Sequence, residues 1–154
     1  MPYYLAPVRL HAHTIKVTMS PAMSDDFGKL ILRVSLGSML LLHGIGKLVH
    51  GIAPIERMVT ANGLPAILAW GVYAGELLAP AMIILGVYAR LGGLLAAISM
   101  CFAIMLAHRA EIFQLNSMWA WSLELQGLFL FGSLAIVFLG AGRYSVAGKS
   151  GRWN

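Results

Sequence analysis

The sequence predicts an all-α fold, an antiparallel four-helix bundle that is integral to a membrane. Of the 154 residues, 59% are hydrophobic and only 11% are charged, whereas soluble domains carry about 25% charged residues. Four long apolar runs follow one another along the chain, each near the ~20 residues that a helix needs to cross ~30 Å of hydrocarbon. Because the backbone finds no water at that depth, each run must satisfy its own hydrogen bonds as a helix.

The first two helices are predicted at residues 30–49 and 66–87. The sequence SDD at residues 24–26 precedes the first run and offers an N-cap and early negative charge. The sequence NGLP at residues 62–65 is a turn that starts the second helix, with its proline near the first helical turn.

The last two helices are predicted at residues 91–107 and 122–140. Residues 88–90 separate the second and third helices, and so short a segment allows only a tight reversal of the chain. The four helices are therefore expected to alternate in direction.

Two terminal segments are expected to flank a transmembrane domain at residues 27–142. Residues 1–26 are mixed and polar, with prolines and no clear period, which predicts a flexible tail. This tail has no apolar core of signal-peptide length, and a natural start at Met23 is an alternative interpretation. Residues 143–154 form a basic C-terminal tail, which favours anchoring to anionic headgroups.

Lysine and arginine are distributed unevenly between the two predicted faces of the membrane. Three of the eleven lie in the first and third loops, and eight lie near the N-terminus, in the second loop or in the C-terminal tail. Because basic residues are retained on the cytoplasmic side, both termini are predicted to be cytoplasmic in a multi-pass protein of the bacterial inner membrane. The eight residues are Arg9, Lys16, Lys29, Arg33, Arg90, Arg143, Lys149 and Arg152.

The composition also narrows the classes of partner and cofactor. The net charge of +5 is scattered and forms no basic stripe, so nucleic acid is not an expected partner. The single cysteine, Cys101, excludes an internal disulfide, a CxxC redox pair and a cysteine-based metal site. Cys101 lies in an apolar run and is predicted to be a small buried side chain.

Glu76 is the polar residue that its apolar helix tolerates least. It lies about ten residues into the second helix, roughly 15 Å from its start and near the bilayer midplane. An unpaired carboxylate costs several kcal/mol at that depth, so Glu76 is expected to be protonated or paired with a cation. Lys47 and His43 share a face of the first helix, and Glu124 lies in the first turn of the fourth. The catalytic candidates are therefore Glu76, Lys47 and Glu124, in one polar pocket open to the outer face.

Each of these side chains also has a structural interpretation. Lys47 could extend its ammonium to the outer headgroups, Glu124 could face water at the interface, and His43 could serve helix packing. The candidate cofactor-binding residues are His43, His108 and Trp119, with Trp119 at the outer interface. The two histidines differ by roughly 9 Å in depth, which argues against haem, and no diagnostic spacing indicates a metal site.

Small residues mark where helices are expected to approach closely. Gly44 and Gly46 leave room for a second helix, and GVYAG at residues 71–75 spaces two glycines by one helical turn. Pro80 is predicted to kink the second helix and to free a carbonyl near the buried carboxylate.

Three motifs resemble the DoxX family of small four-helix bacterial membrane proteins. They are HGIGKL (43–48), GELLAPAMIILGVYARLGGLLA (75–96) and LGAGRYSVAGK (139–149), with Glu124 upstream of the last. The resemblance covers about residues 27–149. The family often has an acidic residue where Ala147 stands, so the chain departs from the pattern there.

The resemblance implies a membrane redox complex as the location of the protein and does not identify a specific reaction. Family relatives include the membrane subunit associated with thiosulfate–quinone oxidoreductases, and others are linked to membrane complexes that handle thiol and oxidative stress. The resemblance thus implies a subunit of a quinone-linked or thiol/oxidative-stress redox complex. Quinone is the candidate cofactor, and an oxidoreductase is the candidate partner. The protein would lie in a lipid bilayer, as a single chain or as a homo-oligomer. The alternatives are a non-catalytic anchor or scaffold for an enzyme, and a transporter of small solutes or metals.

Overall fold

A computed structural model describes residues 20–148, 151, 153 and 154 of the chain. Over these residues the protein is all-helical, as predicted, and the described part contains one isolated β-bridge, Leu115–Trp121, and no strand. The helices are α1 (Pro21–His50), α2 (Ala53–Ala61), α3 (Ala66–Leu85), α4 (Ala89–Ala107) and α5 (Glu124–Leu139).

Helix α1 begins earlier than the apolar pattern predicts. Ser20 is its N-cap, and the Ser20 hydroxyl accepts a hydrogen bond of 3.3 Å from the Met23 amide. Pro21 occupies the first turn, where its missing N–H costs nothing. The predicted cap at residues 24–26 is therefore wrong, because these residues already lie inside the helix. Residues 1–19 of the predicted tail lie outside the described residues, and the division into tail and domain stays a prediction.

Helix α2 fills much of the predicted first loop. Pro54 lies near its start and Asn62 ends it, and its buried Val59 packs against Ile52 and Ala69. Nine residues are too few to cross a membrane. Helix α2 therefore covers one end of the helices that do.

Helix α3 changes its winding along its length. It starts as a 3-10 helix at Ala66–Trp70, passes through a π-helical turn at Ala74–Leu78, and continues as an α-helix from Ala79. Pro80 has no N–H to donate to the carbonyl four residues earlier, which is that of Glu76. The sequence predicts that Pro80 disturbs this helix, and the π-helical turn, with Glu76 at its centre, lies directly before Pro80.

A short reversal joins α3 to α4, close to the predicted position. Gly86 ends α3 with φ of 67°, and Tyr88 precedes α4 with φ of 51°. Both residues adopt the left-handed region, which glycine enters without cost and tyrosine does not.

Three of the five helices, α1, α3 and α4, are long and apolar enough to cross a membrane. The fourth predicted helix, at residues 122–140, is longer than the observed helix α5, which contains 16 residues. Helix α5 therefore reaches only about 24 Å. Helix α4 packs against α3 and α5, and α1 also packs against α3 and α5. Much of the outer surface is apolar, as a lipid-facing surface must be.

Cys101 lies on this outer surface of α4 and is exposed. The prediction of a buried cysteine is therefore wrong. The apolar run around Cys101 predicts a helix correctly, but a helix that is hydrophobic on all sides gives no indication of which face is lipid-exposed.

Arg33 lies in the protein core with 1% of its surface exposed. Its guanidinium donates to the carbonyls of Ile83 (2.8 Å) and Ile84 (2.9 Å) at the end of α3, and to those of Ala141 and Tyr144 beyond α5. The main-chain carbonyls at a helix C-terminus often lack helical partners, and Arg33 supplies donors to them, although the Ile83 carbonyl also accepts from the Gly86 amide at 3.2 Å. The Arg33 side chain therefore lies inside the protein, whereas a basic side chain near the end of a membrane helix commonly extends to the headgroups.

Candidate functional site

A cavity of about 480 Å³ lies between the helices, and residues from all five of them line it. Its size falls within the range of ~300–1,000 Å³ that is usual for small-molecule sites. Most of the lining is apolar. The polar lining residues are His43, Lys47, Glu76, Ser99, His108 and Gln126.

Glu76 is the buried acid of this cavity, with 3% of its surface exposed. One carboxylate oxygen, Oε1, accepts a hydrogen bond from the Lys47 ammonium. The other, Oε2, is buried and receives no hydrogen bond from any described residue. Buried carboxylate oxygens normally have partners, so Oε2 is an acceptor that remains available to a molecule in the cavity.

Lys47 brings α1 to the carboxylate on α3. Its side chain is 32% exposed, and its carbonyl accepts a hydrogen bond of 3.4 Å from the Tyr73 hydroxyl. One turn earlier, Gly44 lies so close to the Glu76 carbonyl that a Cβ at this position would overlap it. The absence of a side chain at Gly44 therefore allows the approach that forms the Lys47–Glu76 pair.

Gly46, in contrast, has nothing within 4 Å of where its Cβ would lie, and the same is true of Gly71. The other glycine of the 71–75 motif, Gly75, is in close contact with Ser99 of α4. Of the four glycines predicted to mediate packing, Gly44 and Gly75 do so, and the predictions for Gly46 and Gly71 are wrong.

His43 lines the same cavity from one turn below Lys47 on α1. Its Nδ1 donates to the Met39 carbonyl at 3.0 Å, and its ring meets the Phe129 ring edge-on, with 5.4 Å between centroids. Since a carbonyl can only accept, Nδ1 carries the proton. The second ring nitrogen, Nε2, is then the acceptor of the neutral ring.

His108 lies directly after α4 and contacts Glu111, beyond the end of this helix, as well as Gln126 of α5. Its Nδ1 lies 3.2 Å from a carboxylate oxygen of Glu111, and its Nε2 lies 3.3 Å from the side-chain nitrogen of Gln126. The Gln126 amide must be the donor in the second contact, because an amide nitrogen has no acceptor lone pair. His108 is thereby held in one orientation from two sides.

The DoxX family model matches residues 28–109, which is just over half of the chain. The chain belongs to the DoxX family. The match runs from near the start of α1 to the end of α4, so it includes His43, Lys47, Glu76 and His108, and it ends before α5.

The DoxX chain also resembles a protein of Bacillus subtilis (strain 168) that carries the name "Putative oxidoreductase CatD". The two are 28% identical over 107 residues, which is 70% of this chain and 79% of the relative. No solved structure gives a significant match to the chain.

Two predicted site residues of this DoxX protein lie away from the cavity. Glu124 is exposed and borders a shallow groove with Trp121 and Phe131. Trp119 is 85% exposed in the loop between α4 and α5. The structure thus pairs Lys47 with Glu76 and not with Glu124, and the catalytic role of Glu124 and the cofactor-binding role of Trp119 stay predictions.

Two polar lining residues carry no prediction from the sequence. Gln126 follows Glu124 by two residues, a step that turns it to a different face of the helix. Ser99 resembles the other small residues of α4, and only its contact with Gly75 distinguishes it. An uncharged amide inside an apolar run is a signal that could have indicated Gln126.

The arrangement has one ammonium donor, one free carboxylate acceptor and a free imidazole nitrogen, set in an apolar enclosure. No group of three or more His, Cys, Asp or Glu residues within the described part of the chain could hold a metal ion. Chemically, the site suits an amphiphilic organic molecule with an oxygen-bearing headgroup.

Proposed function

We propose that this DoxX protein is a subunit of a membrane redox complex and that its cavity binds the headgroup of a quinone. The observation that carries the proposal is the buried Glu76 carboxylate at the cavity wall, with one oxygen on Lys47 and the other without a hydrogen-bond partner among the described residues. The Lys47 ammonium can donate to a ring oxygen in either redox state, and Glu76 Oε2 can accept from the hydroxyl that is present only in the quinol.

A quinone takes up protons together with electrons, so a carboxylate beside its oxygen has a chemical role. In this proposal Glu76 relays a proton to or from the ring oxygen, while Lys47 stabilises negative charge on it. A partner oxidoreductase transfers the electrons. The name of the Bacillus subtilis relative supports this setting.

We place the protein in the bacterial inner membrane as an antiparallel four-helix bundle, with α1, α3, α4 and α5 as its helices and both termini cytoplasmic. The Arg143 amide beyond α5 donates to Asp26 near the start of α1, which supports opposite directions for these two helices. The uneven distribution of lysine and arginine supports the orientation. The cavity then lies in the outer half of the bilayer.

The test is quinone binding by purified protein that is immobilised in detergent, with the bound quinone extracted and quantified by mass spectrometry. All variants carry Cys101→Ala, because an exposed thiol can add to a quinone ring. Glu76→Gln should weaken binding of menaquinol by about 10- to 100-fold, since a hydrogen bond to a charged group contributes about 1.5–3 kcal/mol. Binding of oxidised menaquinone should change less.

Lys47→Met should weaken binding of both redox forms, because the ammonium donates to the ring oxygen in each. Glu56→Gln on α2 is the matched control, since Glu56 does not line the cavity, and it should bind both forms normally. If the parent protein binds neither form, or if Glu76→Gln behaves like the control, the polar groups are structural. Stable co-purification of an enzyme would then favour the anchor or scaffold.

A further inference from the structure

One wall of the cavity also faces the outside of the helix bundle. Five lining residues on α3 and α4 are exposed as well, and so are His43 on α1 and Leu125 on α5. On α3 and α4, Leu68 is 49%, Ile98 46% and Phe102 52% exposed, and the other two are Gly71 and Ala107. Residues that border the interior and the exterior together mark an opening between the two helices.

Two glycines of α3 have different surroundings in this region. At Gly75 the two helices are in contact, since a Cβ on Gly75 would overlap Ser99. One turn earlier, a Cβ on Gly71 would meet nothing within 4 Å. The two helices are therefore in contact at Gly75, whereas the space beside Gly71 is open.

The polar lining residues come from α1, α3, α4 and α5 and include the Lys47–Glu76 pair. The exposed edge of the lining carries the large apolar residues Leu68, Ile98 and Phe102. An amphiphile would therefore be held in one direction, with its oxygen atoms at the Lys47–Glu76 pair and its hydrocarbon at the opening.

We propose that the opening between α3 and α4 is a lateral portal through which the isoprenoid tail of the quinone extends into the bilayer. This inference rests on the proposed function. It adds that the substrate is a membrane quinone with a long tail, which enters from the lipid and keeps most of its tail there. A tail that stays in hydrocarbon avoids the cost of exposing apolar surface to water.

The test compares two probes with the same naphthoquinone ring, menaquinone and menadione, of which only menaquinone carries an isoprenoid tail. Gly71→Phe places a ring in the open space at the portal, and Gly46→Phe places one in open space on α1, away from the cavity lining. Both are made with Cys101→Ala and assayed by the same immobilised binding method. Ile98→Trp is a second variant at the portal, in case Gly71→Phe does not fold.

Gly71→Phe and Ile98→Trp should weaken menaquinone binding by at least about tenfold, a loss of about 1.4 kcal/mol, and change menadione binding by less than about threefold. Gly46→Phe should leave both unchanged. Normal menaquinone binding by both portal variants, or equal loss of the two probes, would overturn the portal alone. If the parent protein binds menaquinone and menadione no better than Lys47→Met does, the proposed function fails and the portal fails with it.

Discussion

Glu76 and Arg33 are two buried charged residues that differ in how many of their side-chain atoms have hydrogen-bond partners within the protein. The Arg33 guanidinium donates to four backbone carbonyls, all of them within the protein. Glu76 has one oxygen on Lys47 and one without a described partner. A buried charge whose groups are all satisfied stabilises the fold, whereas one that retains a free acceptor is available for binding.

Arg33→Lys tests the structural role of the guanidinium. A lysine keeps the charge but has a single nitrogen, so it cannot reach carbonyls on two sides as the planar fork does. We expect a loss of about 1–3 kcal/mol in stability, the cost of leaving buried carbonyls unsatisfied, measured by thermal unfolding in detergent. Arg57→Lys on the exposed side of α2 is the control and should change stability by less than about 0.5 kcal/mol. Equal melting temperatures for both variants would contradict this role.

The importance of Glu76 could be predicted from the sequence because its reason is energetic, since a mid-depth carboxylate must find a partner wherever the helices lie. The sequence leaves Glu76 either protonated or paired with a cation, and only the structure identifies Lys47 as its partner. The distance of Glu124 from the cavity could not be predicted, because it depends on the rotation of α5 about its axis. An almost uniformly apolar helix contains no pattern that reports this rotation.

Helix α3 carries Glu76 in the irregular part of its winding. The π-helical turn at Ala74–Leu78 carries Glu76, and Gly44 of α1 lies directly against the Glu76 carbonyl. Such turns are uncommon in helices and are often found at functional sites. The position of the carboxylate therefore depends on a contact between two backbones, in addition to the ion pair.

Gly44→Ala tests this contact, with Gly46→Ala as the matched control on the same helix. The added methyl at position 44 would overlap the Glu76 carbonyl, so α1 and α3 must move apart. Overpacking of this kind costs about 1–3 kcal/mol, and menaquinol binding should weaken because Lys47 moves with α1. Gly46→Ala meets no neighbour and should be neutral or stabilise the helix by up to about 1 kcal/mol. Thermal unfolding and the quinone assay measure both effects, and identical results for the two variants would exclude the contact as a determinant.

At the level of elements, hydropathy predicts the long helices well because length and apolar content are properties of the local sequence. Helix α2 was missed because nine amphipathic residues resemble a loop in an apolar chain. The π-helical turn was missed because Pro80 indicates only a disturbance and not its form.

The whole molecule has two ends with different chemistry. The cavity and its polar lining lie towards one end, where α2 and the loop between α4 and α5 are found. The other end holds the reversal between α3 and α4 and the backbone carbonyls bound by Arg33 and Arg90. This division agrees with the proposed orientation, in which the second end is cytoplasmic.

Cysteine labelling of intact cells tests the orientation. Ser117→Cys lies in the exposed loop after α4, and Val146→Cys lies beyond α5 with 77% of its parent residue exposed; both are made with Cys101→Ala. A membrane-impermeant maleimide should label position 117 in intact cells and position 146 only after permeabilisation. The reverse pattern would show that the positive-inside assignment is wrong.

The short length of α5 has a consequence for the surrounding lipid. Its 16 residues span about 24 Å beside α1, whose 30 residues span about 45 Å. In the proposed four-helix bundle, hydrocarbon of ~30 Å thickness cannot match both lengths, so the bilayer would thin around α5 while α1 would tilt or extend beyond it. Such hydrophobic mismatch favours neighbours with equally short spans and thinner membranes, so it would sort the protein and its partners laterally within the membrane.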